Sequence, residues 1–221
     1  GFAPLAAAHP LVARIHRAHS GLRVPRSLAV YESALPVVLE QKVTGLEARR
    51  TWRALLGRYG EPAPGPTPPG SPPLRVPPGP ETMAELPYTQ MHPLGVERRR
   101  AETLRAVAAA ADRLERATAL PSMAEAHAVL RSVAGVGAWT AAEVAIVALG
   151  DADAVSVGDY HLPNQVCFAL AGERTGTDER MLELLAPFAP HRGRVIRLIG
   201  RAAARPERRG PRLTPMDNRR R

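Results

Sequence analysis

The stretch VAGVGAWTAAEVA, residues 133–145, constrains the fold of this chain more than any other segment. Its two glycines, Gly135 and Gly137, do not suit the interior of a helix, because glycine loses the most backbone freedom there. The flanking sequences nevertheless read as helix on both sides. We therefore predict a helix, a tight hairpin within residues 130–141 and a second helix, with glycines placed where a left-handed backbone is needed.

Apolar residues at three- and four-residue steps predict helices along most of the chain. The predicted helices cover residues 31–59 with a break at Gly45, then 97–117, 122–130, 138–149, 160–171, 178–188 and 191–203. We find neither a pattern strong enough to predict a strand nor an internal repeat. The expected fold class is therefore all-α.

Residues 61–80 hold ten prolines in twenty positions, a composition that cannot form a helix. The segment is typical of a polyproline-like surface loop or spacer, with a proline-rich partner-binding site as the alternative. Residues 1–30 belong either to a lobe of the fold or to the remnant of a missing N-terminal domain. Residues 31–203 are expected to form the core, and residues 204–221 form a basic C-terminal tail.

The charge of the chain favours a polyanionic partner. It has 221 residues, of which 30 are lysine or arginine and 21 are aspartate or glutamate, for a formal net charge of +9. Nucleic acid is the first candidate for a partner of such a protein. Lys42 is the only lysine, so the remaining basic residues are all arginine. This bias also fits a GC-rich genome, which would inflate the charge for reasons unrelated to function.

Several function classes are excluded by composition. A single cysteine, Cys167, excludes an internal disulfide and a zinc or iron–sulfur site built from several thiolates. The seven histidines do not have the spacing of a zinc site. No apolar stretch approaches the ~18 residues needed to span a membrane, and no signal peptide is visible. We expect a soluble protein of the cytoplasm.

Asp159 lies in a glycine-containing loop 22 residues after Gly137. Taken alone, it reads as the N-cap of the next helix. Together with the Gly-Val-Gly hairpin and the Thr140-Ala141 that follows it, the spacing resembles the helix-hairpin-helix-GPD superfamily of DNA glycosylases. Three further stretches are similar to helices of the bacterial 3-methyladenine DNA glycosylase II type, over roughly residues 30 to 200: LPVVLEQKVTGLEARRTWRALLGRYG, LGVERRRAETLRAVAAA and APFAPHRGRVIRLI.

The resemblance implies an enzyme of two helical lobes, with double-stranded DNA in the cleft between them. It would act as a monomer in the bacterial cytoplasm, associated with the nucleoid while on DNA, and release alkylated purines as the first step of base excision repair, with deaminated purines as a further class of substrate. Asp159 would stabilise positive charge on the deoxyribose and deprotonate the attacking water. The residues implied in DNA contact are Gly135, Val136, Gly137, Thr140 and Lys42, the last at the position of the wedge that fills the gap left by the flipped base.

Trp139 bears on the type of reaction. In members of the superfamily that also nick the strand, this position holds a lysine that forms a Schiff base. A tryptophan here implies monofunctional hydrolysis without lyase activity. Trp139 and Tyr160 match aromatic positions of the alkylbase pocket, where their rings would stack on an electron-poor base, and Gln41 matches a further pocket position. A core-packing role is the alternative for Trp139.

Glu143 departs from the family pattern, because a relative has a pocket tyrosine there. We hypothesise that Glu143 hydrogen-bonds the base and shifts the preference among purines; a surface or salt-bridged role is the alternative. No cofactor is required, although a sodium or potassium ion on the main-chain carbonyls of Arg131, Val133 and Val136 is compatible with the resemblance. The rival interpretation of the whole chain is a non-catalytic helix-hairpin-helix DNA-binding module.

Overall fold

The structure is a computed structural model and describes residues 1–202, so the predicted basic tail at 204–221 lies outside the described residues. Within that range the chain divides into two compact units. Unit 1 consists of residues 1–28 and 138–202, and unit 2 consists of residues 29–137. The division agrees with the predicted two helical lobes. It falls between Gly137 and Ala138, inside the predicted hairpin.

Thirteen α-helices run through the described residues, and the all-α prediction is confirmed. They are α1 (Phe2–Ala6), α2 (Pro10–Ala18), α3 (Val30–Leu39), α4 (Gly45–Tyr59), α5 (Pro80–Glu85), α6 (Tyr88–Met91), α7 (Arg98–Ala109), α8 (Ala111–Glu115), α9 (Met123–Arg131), α10 (Ala138–Val144), α11 (Leu162–Ala171), α12 (Asp178–Leu185) and α13 (Arg192–Ala202). Short 3₁₀ turns lie at His92–Leu94, Arg116–Ala119 and Ala186–Phe188, and one π-helical turn, Ala145–Leu149, continues α10.

The structure differs from the predicted elements in several places, and helices α1, α2, α5 and α6 were not predicted. The proline-rich segment holds a short antiparallel strand pair, β1 (Glu61–Pro62) and β2 (Arg75–Val76). Two residues per strand are too few to give an alternating pattern in the sequence. The predicted helix at 97–117 is broken at Ala110, whose φ of −101° and ψ of 7° lie outside the helical range. Alanines surround this break, so no glycine or proline marks it in the sequence.

Unit 2 is built around buried leucines and valines of α3, α4, α7, α8 and α9, which include Leu35, Leu55, Leu104, Leu114 and Leu130. α4 begins at Gly45, as the predicted break requires. Thr44 caps it through a capping box, in which Glu47 N–H donates to the Thr44 hydroxyl and the Glu47 carboxylate accepts the Thr44 N–H at 2.8 Å. The buried guanidinium of Arg100 donates to the Leu39 carbonyl at 2.9 Å and so fixes the end of α3.

Unit 1 has its own hydrophobic core, in which the N-terminal helices pack with α11, α12 and α13. Its buried members include Phe2, Val12, Ile15, Val166, Cys167, Leu185, Val195 and Leu198. The N-terminal segment therefore packs in the same unit as the C-terminal helices. No helix within residues 1–202 has the length and apolarity needed to cross a membrane.

Candidate functional site

The hairpin between α9 and α10 depends on Gly135. Its φ of +84° is left-handed, and a Cβ there would overlap the Thr103 hydroxyl and lie 2.8 Å from Thr103 Cγ2. Glycine is therefore needed both for backbone conformation and for close approach to α7. At Gly137 the φ is not positive, and a Cβ would meet nothing within 4 Å. The expected left-handed backbone is found at Gly135 alone, while Gly137 leaves the surface of the turn uncovered.

The loop between α3 and α4 is joined to this hairpin. The side-chain amide of Gln41 donates to the Gly135 carbonyl at 3.0 Å. Lys42, the next residue, is exposed and has a φ of +55°, which is uncommon for any residue other than glycine. Two segments predicted to contact DNA are thus linked within unit 2. The amide of Gln41, predicted in the base pocket, is used here to hold the hairpin.

Asp159 lies in unit 1, in the loop that enters α11. Its Oδ1 accepts the backbone N–H groups of His161 and Leu162, each at 2.8 Å. Its Oδ2 accepts the indole N–H of Trp139 at 3.1 Å. The N-cap of α11 is His161, so the interpretation of Asp159 as the N-cap is wrong, although Asp159 accepts the N–H groups at the start of this helix. The backbone N–H groups of His161 and Leu162 thus occupy one oxygen of the carboxylate, and Trp139 orients the other.

Glu143 follows Trp139 by one helical turn on α10, so the two side chains share a face of the helix. The Ser156 hydroxyl, which is buried, donates to the Glu143 carboxylate. The partner of Glu143 in the structure is thus a hydroxyl of the loop that carries Asp159. Thr140, which was predicted to contact DNA, is only 2 % exposed, so the structure does not present its hydroxyl at the surface.

Tyr160 is the most accessible of the predicted pocket residues, with 83 % of its surface exposed. Its ring packs edge-to-face against His161, with ring centroids 4.9 Å apart. Trp139, by contrast, is half-buried and held by its hydrogen bond to Asp159. Trp139 contacts Asp159 through a hydrogen bond, and Tyr160 is the residue that follows Asp159 in sequence. The two aromatic side chains differ strongly in exposure.

The loop before Asp159 is tied to α13 by an ion pair that the sequence did not reveal. Both carboxylate oxygens of Asp153 accept from the Arg192 guanidinium, at 2.9 and 2.6 Å, and Asp153 also accepts the Arg192 backbone N–H at 3.0 Å. Burial opposes ionisation of Asp153, but the hydrogen bonds and charge of Arg192 outweigh it and hold the pKa of Asp153 below its ordinary value. Gly193 lets α13 approach the Ala154 carbonyl, which a Cβ would overlap.

A second tie lies directly beside Asp159. The backbone N–H of Gly158 donates to Asp178 Oδ2 at 2.9 Å, and Gly158 has a φ of +87°. The sequence predicts Asp178 only as the start of a helix. The available signal was Gly158 itself, because a glycine immediately before a functional aspartate indicates an unusual backbone conformation.

The predicted cation site consists of neutral carbonyl oxygens, those of Arg131, Val133 and Val136. Oxygen donors of this kind suit hard ions such as sodium and potassium rather than zinc or copper. The Val133 carbonyl already accepts the Val136 N–H at 3.0 Å, which closes the turn. Among residues 1–202, no group of three or more His, Cys, Asp or Glu side chains is placed to hold a metal ion.

Comparisons with known proteins bear on the fold. No protein-family model and no curated protein sequence matches the chain. Solved structures do match. The 3-methyladenine DNA glycosylase from Archaeoglobus fulgidus has a TM-score of 0.74 and 20% identity, over 89% of this chain and 67% of that one.

Two further structures are similar. The Schizosaccharomyces pombe 3-methyladenine DNA glycosylase, in complex with abasic DNA, has a TM-score of 0.71 and 19% identity, over 88% of this chain and 92% of that one. The Clostridium acetobutylicum 8-oxoguanine glycosylase/lyase, in complex with double-stranded DNA, has a TM-score of 0.72 and 14% identity, over 90% and 68% of the two chains. The chain therefore has the fold of these DNA glycosylases, as the resemblance in its sequence predicts.

Proposed function

We propose that this chain is a monofunctional DNA glycosylase that excises alkylated purines from double-stranded DNA and leaves an abasic site. The observation that carries the proposal is the Asp159 carboxylate, oriented by three N–H donors within a fold shared with DNA glycosylases. A carboxylate in this position suits cleavage of an N-glycosidic bond, which builds positive charge on the sugar. The damaged base would first be flipped out of the duplex.

Asp159 would act on the flipped nucleotide in two ways. Its negative charge would stabilise the cationic deoxyribose, and an oxygen would accept a proton from the attacking water. An ionised carboxylate has about four acceptor positions, and Trp139, His161 and Leu162 account for three donors. Capacity thus remains for one further donor, such as water. Because the three donors restrict rotation of the side chain, the carboxylate would meet the substrate preorganised.

Hydrolysis without strand nicking is supported by Trp139. A lyase of the glycosylase/lyase type forms a Schiff base through an amine. An indole nitrogen cannot form one, and Trp139 already uses its N–H to bind Asp159. Lys42, the only lysine, lies in unit 2, on the loop that contacts the hairpin. Cationic alkylated purines are good leaving groups, so hydrolysis of these lesions does not require a strong general acid.

DNA contact would come from unit 2. Gly135, Val136 and Gly137 form a turn whose surface is uncovered at Gly137, so backbone amides could approach a phosphate closely. Lys42 projects from a left-handed backbone beside Gln41, as a wedge into the gap left by the flipped base. A sodium or potassium ion on the carbonyls of Arg131, Val133 and Val136 would reinforce the phosphate contact. The substrate would be genomic DNA of a bacterial cytoplasm, bound by the protein as a monomer.

Tyr160 and Glu143 would contribute to recognition of the base. The exposed ring of Tyr160 is available to stack on a flipped purine. Glu143 would offer an acceptor to the base edge in addition to its bond with Ser156. We expect Glu143→Gln to change the ratio of release rates for methylated purines and hypoxanthine. Equal ratios in the wild type and the variant would show that Glu143 does not read the base.

The proposal is tested with a panel of duplex oligonucleotides, each holding one damaged base, together with methylated duplex DNA. We expect release of a methylated purine, an abasic product that is cleaved only by added alkali, and no covalent complex on borohydride treatment. Borohydride trapping would favour a bifunctional lyase. Duplex binding without release of any base would favour a non-catalytic helix-hairpin-helix module.

A further inference from the structure

We propose that Asp178 is a positioning residue for Asp159, acting through the backbone N–H of Gly158. This inference rests on the proposed glycosylase function. Asp178, on α12, would orient the Asp159 carboxylate without a hydrogen bond to it. The hydrogen bond from Gly158 N to Asp178 Oδ2, at 2.9 Å, spans 20 residues of sequence within unit 1.

The conformation of Gly158 is the first step of the argument. Its φ of +87° lies in the region that L side chains rarely adopt, so the chain turns sharply immediately before Asp159. A Cβ at Gly158 would meet nothing within 4 Å. Packing therefore does not force this backbone conformation, in contrast to Gly135, which is crowded by Thr103. A backbone bond closes the turn around it, since the Asp159 N–H donates to the Ser156 carbonyl at 3.3 Å. The bond to Asp178 is the side-chain contact that holds this turn from another helix.

The second step is the direction of the Asp178 carboxylate. Its Oδ1 is buried and has no hydrogen-bond partner among the described residues, whereas Oδ2 accepts the Gly158 N–H. A buried carboxylate oxygen without a partner carries an energetic cost. Only one oxygen of Asp178 is therefore stabilised by a hydrogen bond, and the donor of that bond is the residue that precedes Asp159.

The third step connects this bond to the carboxylate of Asp159. Oδ1 of Asp159 accepts from His161 and Leu162, and Oδ2 accepts from Trp139. These three donors stay in reach only while the Asp159 Cα–Cβ bond keeps its direction, which depends on the backbone conformation of Gly158 and of Asp159 itself. Fixing Gly158 therefore fixes the point at which the carboxylate meets the sugar. A displacement of about 1 Å at such a group costs about 100-fold in rate.

The test compares Asp178→Ala with Asp178→Asn, which retains an acceptor for Gly158 N–H. Amide exchange measured by NMR gives a readout independent of activity, because the His161 and Leu162 amides report directly on the orientation of Asp159. We expect Asp178→Ala to speed exchange at Gly158, His161 and Leu162 by about tenfold or more. Single-turnover release of methylated purine at saturating DNA should slow by about 10- to 100-fold with duplex affinity unchanged.

Asp178→Asn should keep both readouts within about threefold of the wild type. Glu183→Ala is the matched control, since it removes the same charge from the same helix and breaks only the exposed pair with Arg180. If Asp178→Ala does not fold, Gly158→Ala serves instead, because its added methyl group has open space and alters only the backbone preference. It should produce the same changes in exchange and rate.

Two outcomes would overturn the proposal: unchanged exchange at His161 and Leu162 in Asp178→Ala, or a wild-type rate of base release in that variant. If the wild-type protein released no base, the proposed glycosylase function would fail by itself. The exchange measurement would still decide whether Asp178 orients Asp159, so the two failures are distinguishable.

Discussion

The hairpin of unit 2 and the Asp159 loop of unit 1 are held in place by different means. The hairpin is set mainly by backbone sterics, since Gly135 lies in a left-handed conformation against Thr103, where no side chain fits, with one added hydrogen bond from Gln41. The loop is set by polar side chains that reach it from other helices: Glu143 through Ser156, and Arg192 through Asp153. The hairpin thus depends on the absence of a side chain at Gly135, whereas the Asp159 loop depends on hydrogen bonds to side chains of other helices.

The difference corresponds to the task proposed for each region. A turn that presents backbone amides contacts phosphates without reading the sequence, so it needs an uncovered surface more than a particular side chain. A carboxylate that stabilises charge at one carbon must be fixed within a fraction of an ångström. We therefore expect substitutions in the hairpin to change stability and DNA affinity, and substitutions at the contacts of Asp159 to change the rate of base release.

The largest effect is expected for Gly135→Ala. The new Cβ would overlap the Thr103 side chain, and the alanine would be held at a φ that it disfavours. The free energy of unfolding should therefore fall by about 2–4 kcal/mol. Duplex affinity should fall with it. Urea denaturation and fluorescence anisotropy with a duplex oligonucleotide measure the two quantities.

Gly137→Ala is the matched control, because its Cβ has open space and its φ is not positive. It should stay within about 1 kcal/mol of the wild-type stability. The double variant Gly135→Ala, Thr103→Ala should recover part of the steric loss, since Cβ of residue 103 would still lie 2.9 Å from the new Cβ, and should retain the backbone part. Equal stability losses at the two glycines would refute the steric account of the hairpin.

The next largest effect concerns Trp139→Phe, which keeps an aromatic ring and removes the N–H that donates to Asp159. Hydrogen bonds to charged groups contribute about 1.5–3 kcal/mol, so base release should slow by about tenfold or more at unchanged duplex affinity. Single-turnover kinetics on methylated DNA give the rate. If Trp139→Phe released the base at the wild-type rate, the aromatic ring of Trp139, rather than its N–H, would be what base release requires.

A pH-dependent effect is expected at the Asp153–Arg192 pair. Because the pKa of Asp153 is lowered in the folded protein, its contribution is fully present above the ordinary aspartate pKa of about 3.9 and is lost as pH falls through the lowered value. Asp153→Asn should reduce the free energy of unfolding at pH 7 by about 1–2 kcal/mol and flatten its decline below about pH 4.

Urea denaturation at pH 7 and at pH 3 measures both parts of this prediction. Asp112→Asn provides the control, since Asp112 is an exposed carboxylate of α8. A variant at Asp153 whose stability declined in acid as steeply as that of the wild type would contradict the assignment.

The smallest effect is expected for Gln41→Ala, which removes the amide that donates to the Gly135 carbonyl. One hydrogen bond of this type contributes about 1 kcal/mol, so duplex affinity should weaken by about three- to fivefold. Fluorescence anisotropy with an abasic-site duplex is suited to this range. Gln90→Ala, an exposed glutamine of the same unit, should leave affinity unchanged.

Much of this architecture could be predicted from the sequence because its signals are local. The spacing of apolar residues predicted most of the longer helices, and Gly45 marked the start of α4. The distance from Gly137 to Asp159 indicated the candidate site. Each of these depends on residues within a few turns of one another, or on a motif of fixed spacing.

The remaining features depend on contacts between distant parts of the chain. Gln41 and Gly135 are 94 residues apart, and Asp153 and Arg192 are 39 apart. Such pairs come together only through tertiary packing, so neither charge nor periodicity identifies the partner. The crowding of Gly135 by Thr103 is of the same kind: the sequence indicates that a glycine is needed, but not what excludes the side chain.

The central claim is that the Asp159 carboxylate performs the chemistry while the hairpin region of unit 2 binds DNA. It is tested most directly by measuring base release and duplex affinity together for Asp159→Asn. Asparagine retains acceptor capacity for His161 and Leu162 but lacks the negative charge. We predict a loss of base release of about 1,000-fold with duplex affinity within about threefold of the wild type. Base release at the wild-type rate would contradict the account.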